Sequence, residues 1–192
     1  MPYPWRVGRT PYRVLVAEVL LQRTGRRAVA RAYPGFVAAF PDARSLHAAG
    51  PGDLEAALRP LGLYRRRAAR LGAIAAAVVG EHGGEVPCGR GVLLGIPGVG
   101  PYTAGAVASF ACGEAVPAVD SNVLRVLYRA FGIRGRRAAE RFLGPVVPPG
   151  HPDLFNYGLI DLGAAVCAPR RPSCGACPLR PHCRTARASP GT

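Results

Sequence analysis

Two carboxylates and four thiols are the residues of this chain whose types and surroundings could carry chemistry. Glu18 is the lone acid in the apolar run from Val14 to Leu21. Such a run reads as a helix that is apolar on every side and therefore buried, which carries Glu18 into a low-dielectric place where the neutral acid is favoured. A structural ion pair with Arg13, Arg23, Arg26 or Arg27 is the competing reading. Asp120 precedes the apolar-periodic run Val123, Leu124, Leu127 and Phe131, and so stands where a helix N-cap belongs. Backbone N–H groups at that position favour the ionised form. Two carboxyl groups in opposed environments are the usual means of glycosidic cleavage: one protonates the leaving group and the other stabilises an oxocarbenium-like sugar.

Cys167, Cys174, Cys177 and Cys183 are spaced Cys-x6-Cys-x2-Cys-x5-Cys, all within seventeen residues. Four soft ligands on one tight loop suit zinc or an iron–sulfur cluster. Zinc ribbons use two separated Cys-x2-Cys knuckles, and this chain has one. The loop also carries Arg170, Arg171 and Arg180, cations that a rigidly held loop could present to phosphates. Cys88 and Cys112 fall outside the pattern and read as ordinary thiols.

The elements that must position these groups are helices. Thr10-Pro11 is an N-cap followed by proline at the first helical position, opening a helix expected to reach about Thr24. Further helical runs are predicted near 26–40, 53–59, 64–79, 134–143 and 154–166, with no internal repeat and no strand-like alternation, so the fold is read as all-α. Leu94-Gly95-Ile96-Pro97-Gly98-Val99-Gly100-Pro101-Tyr102-Thr103-Ala104 joins two short helical runs, about 91–94 and 102–111, through a glycine turn. Glycine allows positive φ and close approach to the backbone. The amides of Gly98, Val99, Gly100 and Thr103, beside a helix N-terminus, make a candidate phosphate site. Tyr64, beside Arg65-Arg66-Arg67, adds an aromatic surface able to stack on a base.

Composition narrows the partners. In 192 residues, 25 basic side chains oppose 11 acidic ones for a net charge of +14, which favours a polyanion, nucleic acid before membrane. Every basic residue is arginine and none is lysine, so a Schiff base could form only at the chain's own N-terminus. The longest charge-free apolar segments are too short to cross a bilayer, and no signal peptide is evident. A cytosolic, nucleoid-associated and monomeric protein is therefore expected, one in which disulfides are improbable.

Pro97-Gly98-Val99-Gly100 followed by Thr103-Ala104, then Val119-Asp120-Ser121-Asn122-Val123, resembles the helix-hairpin-helix and catalytic aspartate of the endonuclease III and MutY superfamily of DNA glycosylases. The resemblance runs from Pro4-Trp5-Arg6 to Cys183, nearly the whole chain. It implies a two-lobed fold: one lobe of residues 12–121 holding the hairpin, a second of 1–11 and 122–183 ending in a [4Fe–4S] loop at 167–183, and a tail at 184–192. It also implies double-stranded DNA with a mismatched or damaged base as the partner. Ala17-Glu18-Val19-Leu20-Leu21-Gln22-Arg23-Thr24 is similar to the MutY segment that carries the catalytic glutamate, and Asp120 matches the superfamily aspartate.

Where endonuclease III has its Schiff-base lysine, this chain has Tyr102, so a monofunctional enzyme without lyase activity is implied. Base-pocket and opposite-base roles fall by the same resemblance on Tyr102, Gln22, Arg23, Tyr64, Asn122 and Tyr157. Gln22-Arg23-Thr24 departs from the Gln-Gln-Thr usual in MutY, and Asp120-Ser121-Asn122 from the commoner Asp-Gly-Asn. Leu21-Gln22-Arg23-Thr24 resembles the Leu-Arg-Arg-Thr of the compact mismatch thymine glycosylases, and like them the chain is expected to lack a separate 8-oxoguanine-reading domain. Thymine or uracil opposite guanine is thus the favoured substrate. Adenine opposite guanine or 8-oxoguanine is the alternative, and a non-catalytic DNA-binding module is the second.

Overall fold

The computed structural model describes residues 3–188, and residues 1–2 and 189–192 of the expected N-terminal segment and tail lie outside it. Within that range the chain is helical with no strand. Eleven α-helices are present among the described residues: α1 (Pro11–Leu21), α2 (Arg26–Ala39), α3 (Ala43–Ala48), α4 (Pro51–Leu58), α5 (Tyr64–His82), α6 (Arg90–Leu93), α7 (Pro101–Phe110), α8 (Ser121–Phe131), α9 (Arg136–Leu143), α10 (Pro152–Asp161) and α11 (Arg184–Ala188). None is long and apolar enough to cross a membrane. The chain divides into two compact units, Met1–Glu114 and Ala115–Thr192.

In the first unit α1 opens as expected: the Arg13 N–H donates to Thr10 Oγ1 at 3.2 Å, and Pro11 occupies the first turn, where no intrahelical N–H bond is lost. Val14 through Leu20 are buried without interruption, so this helix is the hub of its unit. It packs on α7, whose run of small residues (Ala104, Gly105, Ala106, Ala108, Ser109) lets two helix backbones approach closely, and also against α2 and α5. The helix stops at Leu21, three residues short of the expected end. Gln22 leaves the helical region at ψ 116° and Arg23 turns left-handed at φ 56°, so the chain bends away before Thr24.

One expectation is overturned here. Cys88 and Cys112, read as ordinary thiols, form a disulfide with Cα atoms 5.8 Å apart. They lie just before α6 and just after α7, and the turn between these helices brings the chain back on itself. Compartment arguments weigh the bulk thiol pool, whereas here the fold itself holds the two sulfurs together. Alongside, Glu114 Oε2 accepts from the Arg90 N–H at 2.8 Å, tying the end of the unit to the start of α6.

The second unit is built on α8, which packs against α9, α10, α11 and the π-helical segment Leu162–Val166 that continues α10. An extended stretch leads into α8 and is pinned by Asn156, which is fully buried. Asn156 Oδ1 accepts from the Ala118 N–H at 2.8 Å and its Nδ2 donates to Val116 O at 3.0 Å. Arg136 donates to Val119 O from the other side. The residue delivered by this bracing is Asp120.

Candidate active site

Asp120 caps α8, as its position in the sequence implied. Its Oδ1 accepts from the Val123 N–H at 2.8 Å and its Oδ2 from Asn122 Nδ2 at 2.7 Å, so both oxygens serve as acceptors. Asn122 Oδ1 in turn accepts from Arg125 Nη2 at 2.8 Å. The same guanidinium donates through Nη2 to Gly163 O at 2.6 Å and through Nε to Cys167 O at 2.8 Å. A continuous polar chain therefore runs from Asp120 through Asn122 and Arg125 to the first cysteine of the loop. Sequence reasoning singled out its ends, Asp120 and Cys167, together with Asn122, and missed Arg125, which nothing distinguished from other basic residues on an amphipathic helix.

Gly163 was missed as well. A Cβ built there would lie 2.6 Å from Asn122 Cβ and 2.8 Å from Asn122 O, so the π-helical segment reaches the Asp120 cap because residue 163 has no side chain. Gly163→Ala is expected to destabilise the protein by about 1–3 kcal/mol through overpacking and to displace Asn122 from Asp120. Thermal unfolding checks this, and an unchanged midpoint would show that the contact is freely relieved.

The four cysteines come together at the end of this polar chain. Cys167, Cys174, Cys177 and Cys183 are all half-buried and line one cavity with Val166, Pro172 and Arg129. Arg129 Nη1 lies 3.5 Å from Cys167 Sγ and donates to Ala168 O at 2.8 Å, while Arg129 Nη2 donates to Pro169 O at 2.7 Å. Among the described residues no group of three or more His, Cys, Asp or Glu side chains is arranged to hold a metal ion. Four thiols around one cavity are soft donors of the kind that zinc or an iron–sulfur cluster takes.

In the first unit Glu18 lies on α1 and is 4% exposed. Tyr102, half-buried, stands in the first turn of α7, the helix against which α1 packs. At the glycine turn, Gly98 has φ 85°, and a Cβ there would come within 3.2 Å of Arg70 Cγ. The Val99 amide donates to Ile96 O at 3.0 Å, so it is used inside the turn. Neither the Gly98 nor the Gly100 amide donates to a backbone carbonyl among the described residues. Thr103 is buried in the first turn of α7.

Gln22 and Arg23 line a cavity with Leu63, Arg66, Arg67 and Arg70, a concentration of positive charge beside the end of α1. Tyr64 is near this region but its ring is flanked by the guanidinium groups of Arg59 and Arg65, at 5.5 and 5.7 Å from the centroid. Arg67, the last of the three consecutive arginines beside Tyr64, does not share the exposure of Arg65 and Arg66. It is instead 5% exposed, and the signal was available: it falls in helical register with Leu71, Ile74 and Val78, all buried on α5. Asn122 and Tyr157, the latter on α10, belong to the second unit.

A family model described as HhH-GPD superfamily base excision DNA repair protein matches residues 16–149. The chain is 34% identical over 189 residues to a thymine-DNA glycosylase of Aeropyrum pernix, with 94% of this chain and 85% of that protein aligned. It is 41% identical over 187 residues to an adenine DNA glycosylase of Mycolicibacterium smegmatis, where 94% of this chain spans only 63% of the relative. Among solved structures, a thermostable thymine-DNA glycosylase matches with a TM-score of 0.92 at 33% identity, over 98% of this chain and 89% of that one. A trapped endonuclease III–DNA covalent intermediate matches at 0.84 with 29% identity, over 96% and 88%.

Proposed function

Since the chain belongs to the HhH-GPD superfamily of base excision DNA repair proteins and is a DNA N-glycosylase, we propose that it flips and hydrolytically removes thymine or uracil mispaired with guanine, without cutting the strand. A base inside a duplex is out of reach of any side chain, and weak pairing at a mismatch lowers the energy needed to extrude it by a few kcal/mol. In this reading Glu18 protonates the leaving base or directs water, and Asp120 stabilises the positive charge that develops at the sugar C1′. Tyr102, Tyr157 and Asn122 hold the extruded nucleotide, while Gln22, Arg23 and Tyr64 meet the duplex on the side of the opposite base. Gly98, Val99, Gly100 and Thr103 form the phosphate contact, with the amides of Gly98 and Gly100 as donors.

Cys167, Cys174, Cys177 and Cys183 would hold a [4Fe–4S] cluster whose contribution is to fix the loop and its arginines against the phosphate backbone. The protein acts as a cytosolic, nucleoid-associated monomer. The observation that carries the choice of base is the backbone match to a thymine-DNA glycosylase at a TM-score of 0.92. Arg23 supports a guanine partner, because a guanidinium is suited to the O6 and N7 acceptors of guanine. A second reading, adenine opposite guanine or 8-oxoguanine, is favoured by the 41% identity to an adenine glycosylase.

Single-turnover assays on T:G, U:G, A:G and A:8-oxoG duplexes with matched controls should show fastest release from T:G or U:G. Efficient adenine release with little from T:G would establish the second reading instead. Borohydride is expected to trap no protein–DNA adduct, since the chain contains no lysine to form an imine. An adduct that survives blocking of the N-terminal amine would contradict the monofunctional assignment.

A further inference from the structure

Arg23, at φ 56°, and Leu63, at φ 51°, are the two non-glycine residues with positive φ among the described residues. Left-handed backbone is disfavoured for side chains of their size, so each conformation must be held by its surroundings. Both are held by the same side chain. Arg67 Nη2 donates to Gln22 O at 2.6 Å and also to Thr24 Oγ1, the residues on either side of Arg23. Arg67 Nη1 donates to Leu61 O at 3.1 Å and also to Gly62 O, the two residues before Leu63. Thr24 Oγ1 donates to Leu61 O at 3.4 Å and closes the connection between the two turns.

We propose that Arg67 is the positioning residue for opposite-base recognition, a buried planar fork that locks the Gln22–Thr24 and Leu61–Leu63 turns together and presents Arg23 in one conformation at the arginine-lined cavity. The proposal rests on the reading that Arg23 meets the opposite base. Three features support a role beyond filling space. Arg67 occupies a stripe position of α5 that Leu71, Ile74 and Val78 fill with hydrocarbon, where an aliphatic residue would pack without desolvating a charge. Its Nε is buried with no hydrogen-bond partner among the described residues, so the guanidinium gives up one donor to serve four acceptors with the others. All four acceptors belong to the two left-handed turns and none to the rest of the core.

Lysine keeps the charge but offers its donors from one point, and so cannot reach both turns as the fork does. Arg67→Lys is therefore expected to loosen Arg23 without removing it. The test is a double-mutant cycle of Arg67→Lys and Arg23→Ala, read as the ratio of single-turnover rates with guanine against adenine opposite whichever base the enzyme excises. Arg67→Lys should lower the preference for guanine by about tenfold, within the range of one good base contact, and should lower it no further once Arg23 is alanine. An equal loss in both backgrounds, or a slowing that is uniform across opposite bases, would overturn the proposal and leave Arg67 a structural residue.

If Arg23→Ala leaves the preference intact, the reading of Arg23 has failed and the proposal falls with it. If Arg23→Ala abolishes the preference while Arg67→Lys does not, only the positioning role has failed. Should Arg67→Lys not fold, Thr24→Val replaces it in the cycle. It removes one acceptor and the tie to Leu61 with little change in volume, and the same two outcomes decide.

Discussion

Glu18→Gln and Asp120→Asn are each expected to slow base release by about 10²–10⁴-fold, the range supplied by one acid–base group or one charge stabiliser, while the folded protein still binds DNA. Both substitutions suit the test because the structure predicts little damage from either. Glutamine matches glutamate in volume, so the tightly packed surroundings of Glu18 on α1 gain no cavity. Asparagine is as good an N-cap as aspartate, so the acceptor for the Val123 N–H survives and α8 still starts at Ser121. What Asp120→Asn removes is the negative charge next to Asn122. Circular dichroism, binding to an uncleavable duplex and single-turnover rates separate these effects. Wild-type turnover in both variants would mean that the two carboxylates are structural.

Protein purified under anaerobic conditions should be brown and contain about four iron per chain, as one cubane cluster requires. Cys174→Ser is expected to lose the iron and to weaken DNA binding by about tenfold or more at moderate salt, because phosphate contacts dominate such affinity. The reason lies in how little else holds the loop. From Ala164 to Arg187 no residue is buried, and the segment consists of short turns such as Cys174–Ala176 and Arg180–His182. Arg129 ties three carbonyls at its start, Cys167, Ala168 and Pro169. Arg125 Nε also donates to Cys167 O at 2.8 Å, and at the far end Thr185 Oγ1 donates to Arg129 O at 2.9 Å where α11 packs on α8; the turns carrying Cys174 and Cys177 lie between these two anchors, beside the cavity that the thiols share. Limited proteolysis within 167–188 should accelerate in the variant. Stoichiometric zinc in place of iron would contradict the cluster assignment.

The helical class, the cap at Thr10, the cap at Asp120 and the seclusion of Glu18 are all legible in the sequence, because each rests on residue patterns within a few turns along the chain. Periodicity reports which face of a helix is apolar, and a capping side chain reaches only to the next turn. Asp120 and Glu18 follow from such local rules. The spacing of the four cysteines likewise singled out thiols that the structure brings around one cavity.

Tertiary structure decided what depends on contacts between distant segments. Cys88 and Cys112 are separated by 24 residues, and only the return of the chain through α6 and α7 makes them partners. The bond from Arg125 to Cys167 spans 42 positions and that from Arg67 to Gln22 spans 45, and in each case the sequence shows one more arginine among twenty-five basic residues. The early end of α1 has the same origin: the local preference of Gln22-Arg23-Thr24 allows the helix to continue, and the Arg67 fork takes the Gln22 carbonyl instead. Residue types and short spacings therefore marked the groups proposed for glycosidic chemistry and cluster binding. Which arginines hold them in place was decided by packing, since a guanidinium commits to whichever carbonyls the fold brings within its reach.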